Sequence, residues 1–187
     1  ERYPLNLTDL EMDTEKLAGL ISERYITKRK HPDADLWIYN YTQKAQWSGL
    51  DSGIWGPETS QCRGLIVDGS GEVVALPFAK FWNYGQQMPK TDLVEVTTKE
   101  DGSLGILFRL DGGFHIATRG TFTSPMALWA TDYLEENFNL THLPPWITLL
   151  LVLANALVYF GPQSRDEDAA DKAAKFYLQS TLPGLEL

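Results

Sequence analysis

One short run of sequence decides how the chain is interpreted, because a single lysine stands on a tight glycine turn between two strand-like segments: Thr97-Thr98-Lys99-Glu100-Asp101-Gly102-Ser103-Leu104-Gly105. Leu93–Thr98 alternates apolar and polar residues, and Leu104–Leu110 is apolar and β-branched or aromatic in part, so each predicts a strand. A turn held by two strands can present Lys99 to a cleft. A solvated surface hairpin explains the same residues, and both interpretations stay open.

Lysine is a poor nucleophile at neutral pH, because with an ordinary pKa of about 10.4 only about one molecule in a few thousand is uncharged. Burial and neighbouring cations that lower this pKa to about 7–8 remove most of the handicap. Arg63, Lys80 and Arg119 lie on adjacent predicted elements and are the candidate cations. The same charges would hold a polyphosphate. We therefore expect all four to converge on one cleft.

The remaining pattern predicts hairpins and separate helices. Asp13 is a predicted N-cap for a helix to Tyr25, and Ser124-Pro125 begins a second predicted helix that reaches about Phe138. Gly49–Ser60 contains Gly, Pro and Ser and is predicted to be a loop. Further strands are predicted at Leu36–Thr42, Gly64–Asp68, Glu72–Leu76 and Phe114–Thr118. The turn Asp111-Gly112-Gly113 is predicted to join Leu104–Leu110 to the last of these strands as a hairpin. Because strands and helices do not alternate as βαβ units, the expected class is α+β.

Length, composition and net charge limit the classes of function that the chain can have. The 187 residues are enough for one domain, and the net charge of −9 argues against broad coating of nucleic acid, although a local basic cleft remains compatible with it. The single Cys62 excludes an intrachain disulfide framework and favours a reducing compartment. With no signal peptide recognised, we expect a cytoplasmic protein. The apolar stretch Trp146–Phe160 is shorter than the roughly 20 residues that span a bilayer, and one or two buried strands are expected there.

Charged and histidine residues outside these segments are expected to be structural. The basic run Lys28-Arg29-Lys30 is interpreted as the solvated end of the first helix, and Asp166-Glu167-Asp168 as a solvated loop. His115 alternates with apolar neighbours on a strand, which favours a structural role. His31 and His142 have no Cys or His partner at ligand spacing, so no metal-ligating residues and no zinc site are predicted.

The lysine run contains Lys-x-Asp-Gly, the signature of covalent nucleotidyltransferases. Three further blocks make it more specific. Two lie upstream, Cys62-Arg63-Gly64-Leu65-Ile66-Val67-Asp68 and Pro77-Phe78-Ala79-Lys80-Phe81-Trp82-Asn83-Tyr84-Gly85, and one lies downstream of Lys99, Ala117-Thr118-Arg119-Gly120-Thr121-Phe122-Thr123-Ser124. In order and spacing, from about Leu36 to Phe138, these blocks resemble the first type of bacteriophage ATP-dependent RNA ligase, the tRNA-repair family. DNA ligases and capping enzymes usually carry an arginine where Leu104 stands.

The resemblance implies a fold and a set of roles. The fold would be a covalent nucleotidyltransferase (ligase adenylation) domain with antiparallel sheets flanked by helices. Lys99 would become AMP-lysine, and Arg119 stands where many relatives have lysine. The implied nucleotide-binding residues are Arg63, Lys80, Phe81, Trp82, Glu100, Gly102 and Arg119, of which Glu100 has an equally good explanation as a turn residue. The implied cofactors are ATP and Mg²⁺. The implied substrate is RNA with tRNA-like broken ends, and we expect a monomer with no membrane attachment and no stable protein partner.

The parts of the ligase pattern that are expected after the second predicted helix are not found in this sequence. Relatives carry an acidic residue after an aromatic, a Glu-Gly block and a Lys-x-Lys strand, whereas Lys172 and Lys175 are spaced three apart. We therefore expect residues 1–140 to be the front part of the ligase domain and residues 141–187 to be a divergent or rearranged tail. The alternative function is an inactive remnant that binds nucleotide or RNA without catalysis.

Overall fold

The computed structural model describes residues 5–48, 54–82 and 104–138. Its described part is α+β, as predicted, with antiparallel sheets and few helices. A four-stranded sheet has the order β1-β2-β3-β4, and β5 and β6 form a separate hairpin. The strands are β1 (Ile26–Lys30), β2 (Leu36–Tyr41), β3 (Arg63–Asp68), β4 (Val73–Ala75), β5 (Gly105–Leu110) and β6 (Gly113–Thr118). The helices are a 3-10 turn (Leu7–Leu10), α1 (Thr14–Ser22), α2 (Gln43–Trp47), α3 (Pro57–Gln61) and α4 (Pro125–Asn137).

The four-stranded sheet is packed on both faces, because alternate residues of a strand point to opposite sides. Ile38 pairs with Ile66 on β3, and both belong to a cluster with the β5–β6 hairpin through Phe108. Tyr39 pairs with Leu65, and these side chains belong to a second cluster under α1. The hairpin and α1 therefore lie on opposite faces of the sheet.

Local signals placed the hairpin and its helix correctly. Asp111 and Gly112 have φ of 51° and 85°, as the two central residues of a type I′ turn require. The Ser124 hydroxyl accepts a hydrogen bond from the Ala127 amide and so caps α4. The Thr131 hydroxyl on α4 accepts a bond of 2.9 Å from the amide of Ile116, which attaches the helix to β6.

The predicted first helix begins where expected and ends early. The carboxylate of Asp13 accepts hydrogen bonds from the Glu15 and Lys16 amides, and α1 ends at Ser22 rather than Tyr25. The interpretation of Lys28-Arg29-Lys30 as a helix end is wrong, because Arg24 has a φ of 63° and the chain then turns into β1. The basic run is the exposed part of an edge strand.

The predicted loop Gly49–Ser60 is wrong in its last four residues, because α3 begins at Pro57. The carboxylate of Glu58 is buried and lies 2.7 Å from the ammonium of Lys16 on α1, and it also accepts a bond from the Asp13 amide. These contacts anchor α3 to α1, and they come from tertiary structure that the loop-like composition does not reveal.

Several predictions fall outside the described residues. These include the strand Leu93–Thr98, the apolar stretch Trp146–Phe160, His142 and the proposed change of character after residue 140. Within residues 5–48, 54–82 and 104–138, no helix is both long enough and apolar enough to cross a membrane.

Candidate functional site

Arg63 begins β3, where it pairs with Asn40 of β2. Its guanidinium lies 4.9 Å from the centre of the Phe81 ring and donates a hydrogen bond of 3.4 Å to the carbonyl of Phe78. Burial lowers the pKa of Arg63, and the positive charge of Arg119 lowers it further. A partly desolvated guanidinium therefore lies at the N-terminal end of β3.

Lys80 approaches the same end of the sheet from the segment after β4. Its backbone amide donates to the carbonyl of Ser60 at 2.7 Å, which fixes the segment against α3. Its ammonium lies 5.5 Å from the Trp55 ring centre and 5.2 Å from that of Trp82, and it donates to the Phe81 carbonyl. Burial lowers the pKa of Lys80, and the charge of Arg63 adds to the effect.

Arg119 belongs to the tight turn that follows β6 of the hairpin. Its guanidinium lies 5.2 Å from the Tyr41 ring centre and donates a hydrogen bond of 3.5 Å to the Tyr41 hydroxyl. Gly64 makes this approach possible. Its φ is +95°, and a Cβ there would lie 2.2 Å from Cδ1 of Ile106 and 3.4 Å from the backbone of Arg119.

Three of the four predicted cations therefore share one site. Tyr41 connects Arg63 and Arg119, because its hydroxyl accepts a hydrogen bond from the Arg119 guanidinium and its interaction with Arg63 acts to raise the pKa of that residue. The ring of Trp55 lies 5.0 Å from that of Tyr41 and 6.3 Å from that of Trp82. The result is a row of aromatic rings bordered by cations, which we call the cation–aromatic site: Tyr41, Trp55, Arg63, Lys80, Phe81, Trp82 and Arg119.

No carboxylate neutralises these cations within the part of the chain that the structure describes. The two ion pairs formed there use Lys16 and Lys30. Holding several positive charges close together raises the free energy of the folded protein unless an anion binds between them. An anionic ligand with a flat ring fits this combination, because its charged groups can meet the cations while the ring packs on the aromatic residues.

The remaining predicted site residues are outside the described residues: Lys99, Glu100 and Gly102. Their relation to the cation–aromatic site stays a prediction. Two residues of the site were missed from the sequence, Tyr41 and Trp55. Tyr41 lies in a segment predicted to be a strand and Trp55 in one predicted to be a loop, and no spacing signal marks either as a site residue.

The histidines in the described segments have structural contacts. Nδ1 of His31 accepts hydrogen bonds from the amides of Asp33 and Ala34, and its ring contacts Phe122 at 4.9 Å. The ring of His115 lies 5.7 Å from that of Phe108. Nowhere in the described segments do three or more His, Cys, Asp or Glu residues form a group able to hold a metal ion. Mg²⁺ stays an expectation from the resemblance.

Neither a family model nor a curated protein matches this chain. The resemblance to RNA ligases therefore rests on the four sequence blocks.

Proposed function

We propose that this chain is an ATP-dependent RNA ligase of the nucleotidyltransferase type, with Lys99 as the residue that becomes AMP-lysine. In this proposal the α+β domain has the fold of a covalent nucleotidyltransferase. The observation that carries it is the meeting of Arg63, Lys80 and Arg119, which are far apart in sequence, around a row of aromatic rings.

The proposed chemistry has three steps. The uncharged amine of Lys99 attacks the α-phosphorus of ATP, so that a nitrogen–phosphorus bond forms, the bond to the β-phosphate oxygen breaks and pyrophosphate leaves with its electron pair. An oxygen of an RNA 5′-phosphate then displaces Lys99 from the AMP. Finally, an RNA 3′-hydroxyl attacks the 5′-phosphate and releases AMP. The hydroxyl proton passes to solvent or a base, and the strand is sealed.

The cation–aromatic site would serve the first step. Negative charge grows on the pyrophosphate as it leaves, and fixed positive groups in a site with little water stabilise such charge without reorganising. Arg63 and Lys80 are partly desolvated, so their interaction with phosphate is screened less than on an open surface. Trp55 and Trp82 offer faces against which a base can pack. Mg²⁺ would add further charge neutralisation when bound.

The test is incubation with α-labelled ATP and Mg²⁺, followed by addition of a 5′-phosphorylated RNA. We expect label on the protein, and its transfer to the RNA 5′ end. We also expect little or no sealing of a nicked RNA hairpin, because no recognisable Glu-Gly or Lys-x-Lys block follows the matched blocks in the sequence, and loss of one well-placed charged group often costs about 10²–10³ in rate.

The competing function, binding without catalysis, predicts a different outcome. ATP would then bind to the chain, as calorimetry can detect, yet no label would stay on the protein after denaturation. Failure to bind either ATP or RNA would contradict both functions.

A further inference from the structure

The basic run on β1 forms a surface that the cation–aromatic site does not use. Lys28, Arg29 and Lys30 are consecutive and exposed, and β1 is an edge strand of the described sheet. The chain has a net charge of −9, so three adjacent cations stand out against an acidic background. We call this surface, together with Trp37, the β1 basic edge.

Two of these cations are held in place by aromatic rings. Lys28 pairs with Tyr39 and Lys30 with Trp37, so both lysines lie on one face of the sheet. The Lys28 ammonium lies 4.3 Å from the centre of the Trp37 ring and 5.5 Å from that of Tyr39, and the Lys30 ammonium lies 5.5 Å from Trp37. A lysine anchored on a ring loses less conformational freedom when it binds an anion than a free one does.

Little acidic charge opposes this surface. Within the described residues, Lys30 has an ion pair with Asp35 at 3.7 Å, and both side chains are exposed, so the pair is screened and weak. Neither Lys28 nor Arg29 takes part in an ion pair between described residues. The surface is therefore complementary to a row of phosphates.

We propose that the β1 basic edge binds the phosphate backbone of the RNA strand that the enzyme joins. The identity of the strand as substrate rests on the proposed function. The geometry links the two surfaces, because Trp37 and Tyr41 lie on the same face of β2, and Tyr41 belongs to the cation–aromatic site. Lys28 and Lys30 are two and four residues from Ile26, the partner of Tyr41. At about 3.3 Å per residue this is about 7–13 Å along the strand, close enough for one nucleic-acid strand to reach both surfaces.

A purely protective role makes a different prediction. Lysines on edge strands prevent sheets from pairing edge to edge. If the run served only that purpose, its removal would promote self-association and leave RNA binding unchanged.

The experiment measures binding of a fluorescent, 5′-phosphorylated single-stranded RNA to the full chain by anisotropy at several salt concentrations. The variants are Lys28→Ala and Lys28→Ala/Lys30→Ala. The matched control for the single variant is Lys44→Ala, since Lys44 is also exposed and lies 4.0 Å from the Tyr25 ring centre, away from the basic edge. Circular dichroism verifies that each variant folds.

We expect the slope of log affinity against log salt to fall by about 0.7 for each lysine removed. With the salt-independent part unchanged, this corresponds at 0.1 M salt to about fivefold weaker binding for the single variant and about 25-fold for the double variant. Lys44→Ala should keep the slope of the original protein.

Covalent labelling by α-labelled ATP tests the ligase function independently of RNA binding by the β1 basic edge. Variants of the basic edge should still accept label from α-labelled ATP, because they leave the cation–aromatic site intact. If no protein is labelled but the RNA slopes change as expected, the ligase function fails and the RNA surface stands. Slopes that match the control, no RNA binding by the original protein, or self-association with unchanged RNA binding would each overturn the proposal.

Discussion

Replacing Lys80 by Gln removes one charge from the cation–aromatic site while keeping a side chain of similar length. The ammonium lies between Trp55 and Trp82 and is partly desolvated. Hydrogen bonds that involve a charged group contribute about 1.5–3 kcal/mol. If Lys80 binds a phosphate of ATP, the substitution should weaken ATP binding by about 10- to 150-fold.

Calorimetry or quenching of tryptophan fluorescence can measure this change, and adenosine provides the internal comparison. Because adenosine has no phosphate, its affinity should change by less than about twofold, the range typical of surface substitutions. Lys44→Gln is the matched control variant, since it removes an exposed lysine that rests on Tyr25. Equal losses for ATP and adenosine, or no loss for ATP, would refute the role of Lys80 as a phosphate ligand.

Three further predictions concern the framework of the site. Gly64→Ala should lower the free energy of unfolding by about 2–5 kcal/mol in urea titrations, because a Cβ at φ +95° is strained and collides with Ile106; an unchanged midpoint would contradict the described packing. Burial acts to raise the pKa of Glu58, but hydrogen bonds from Lys16 and from backbone amides lower it overall. The stability that ionised Glu58 contributes is therefore present above its ordinary pKa of 4.5 and is lost as the pH falls through the lower folded value. Glu58→Gln should therefore cost about 1–3 kcal/mol at neutral pH and weaken the acid dependence of stability, as denaturant titrations at a series of pH values would test. Burial lowers the pKa of His31, so the stability contributed by its neutral ring is present above 6.5 and is lost as the pH falls through the folded value. Hydrogen exchange should therefore show that the protection factors of the Asp33 and Ala34 amides, which donate to Nδ1 of His31, fall over that range.

Local rules predicted those parts of the fold that local chemistry determines. The Asp111-Gly112 turn, the Asp13 cap and the Ser124 cap each have a short signal with a known geometry. β1 was missed because, after buried Ile26, its residues are mostly exposed, so no alternation of apolar and polar residues marks it. α3 was missed because the burial of Glu58 depends on α1, which the sequence does not show to be near.

The candidate site was predictable in its charges and not in its aromatic residues. A polyphosphate requires several cations, so Arg63, Lys80 and Arg119 could be grouped by their sequence blocks, and the structure brings them together. Tyr41 and Trp55 belong to no such block. Their place in the site follows from the end of β2 meeting the segment before α3, which only the packing of the chain defines.

The proposed ligase function depends most on the covalent step, and mass spectrometry of the digested protein after incubation with ATP and Mg²⁺ tests that step directly. We predict that one peptide gains the mass of AMP, that the modified residue is Lys99, and that the peptide is unmodified in a Lys99→Ala variant that remains folded. An adduct on another residue, or an adduct that persists in the Lys99→Ala variant, would contradict the assignment of Lys99. A protein that binds ATP through Arg63 and Lys80 and yet forms no adduct would contradict the ligase function itself.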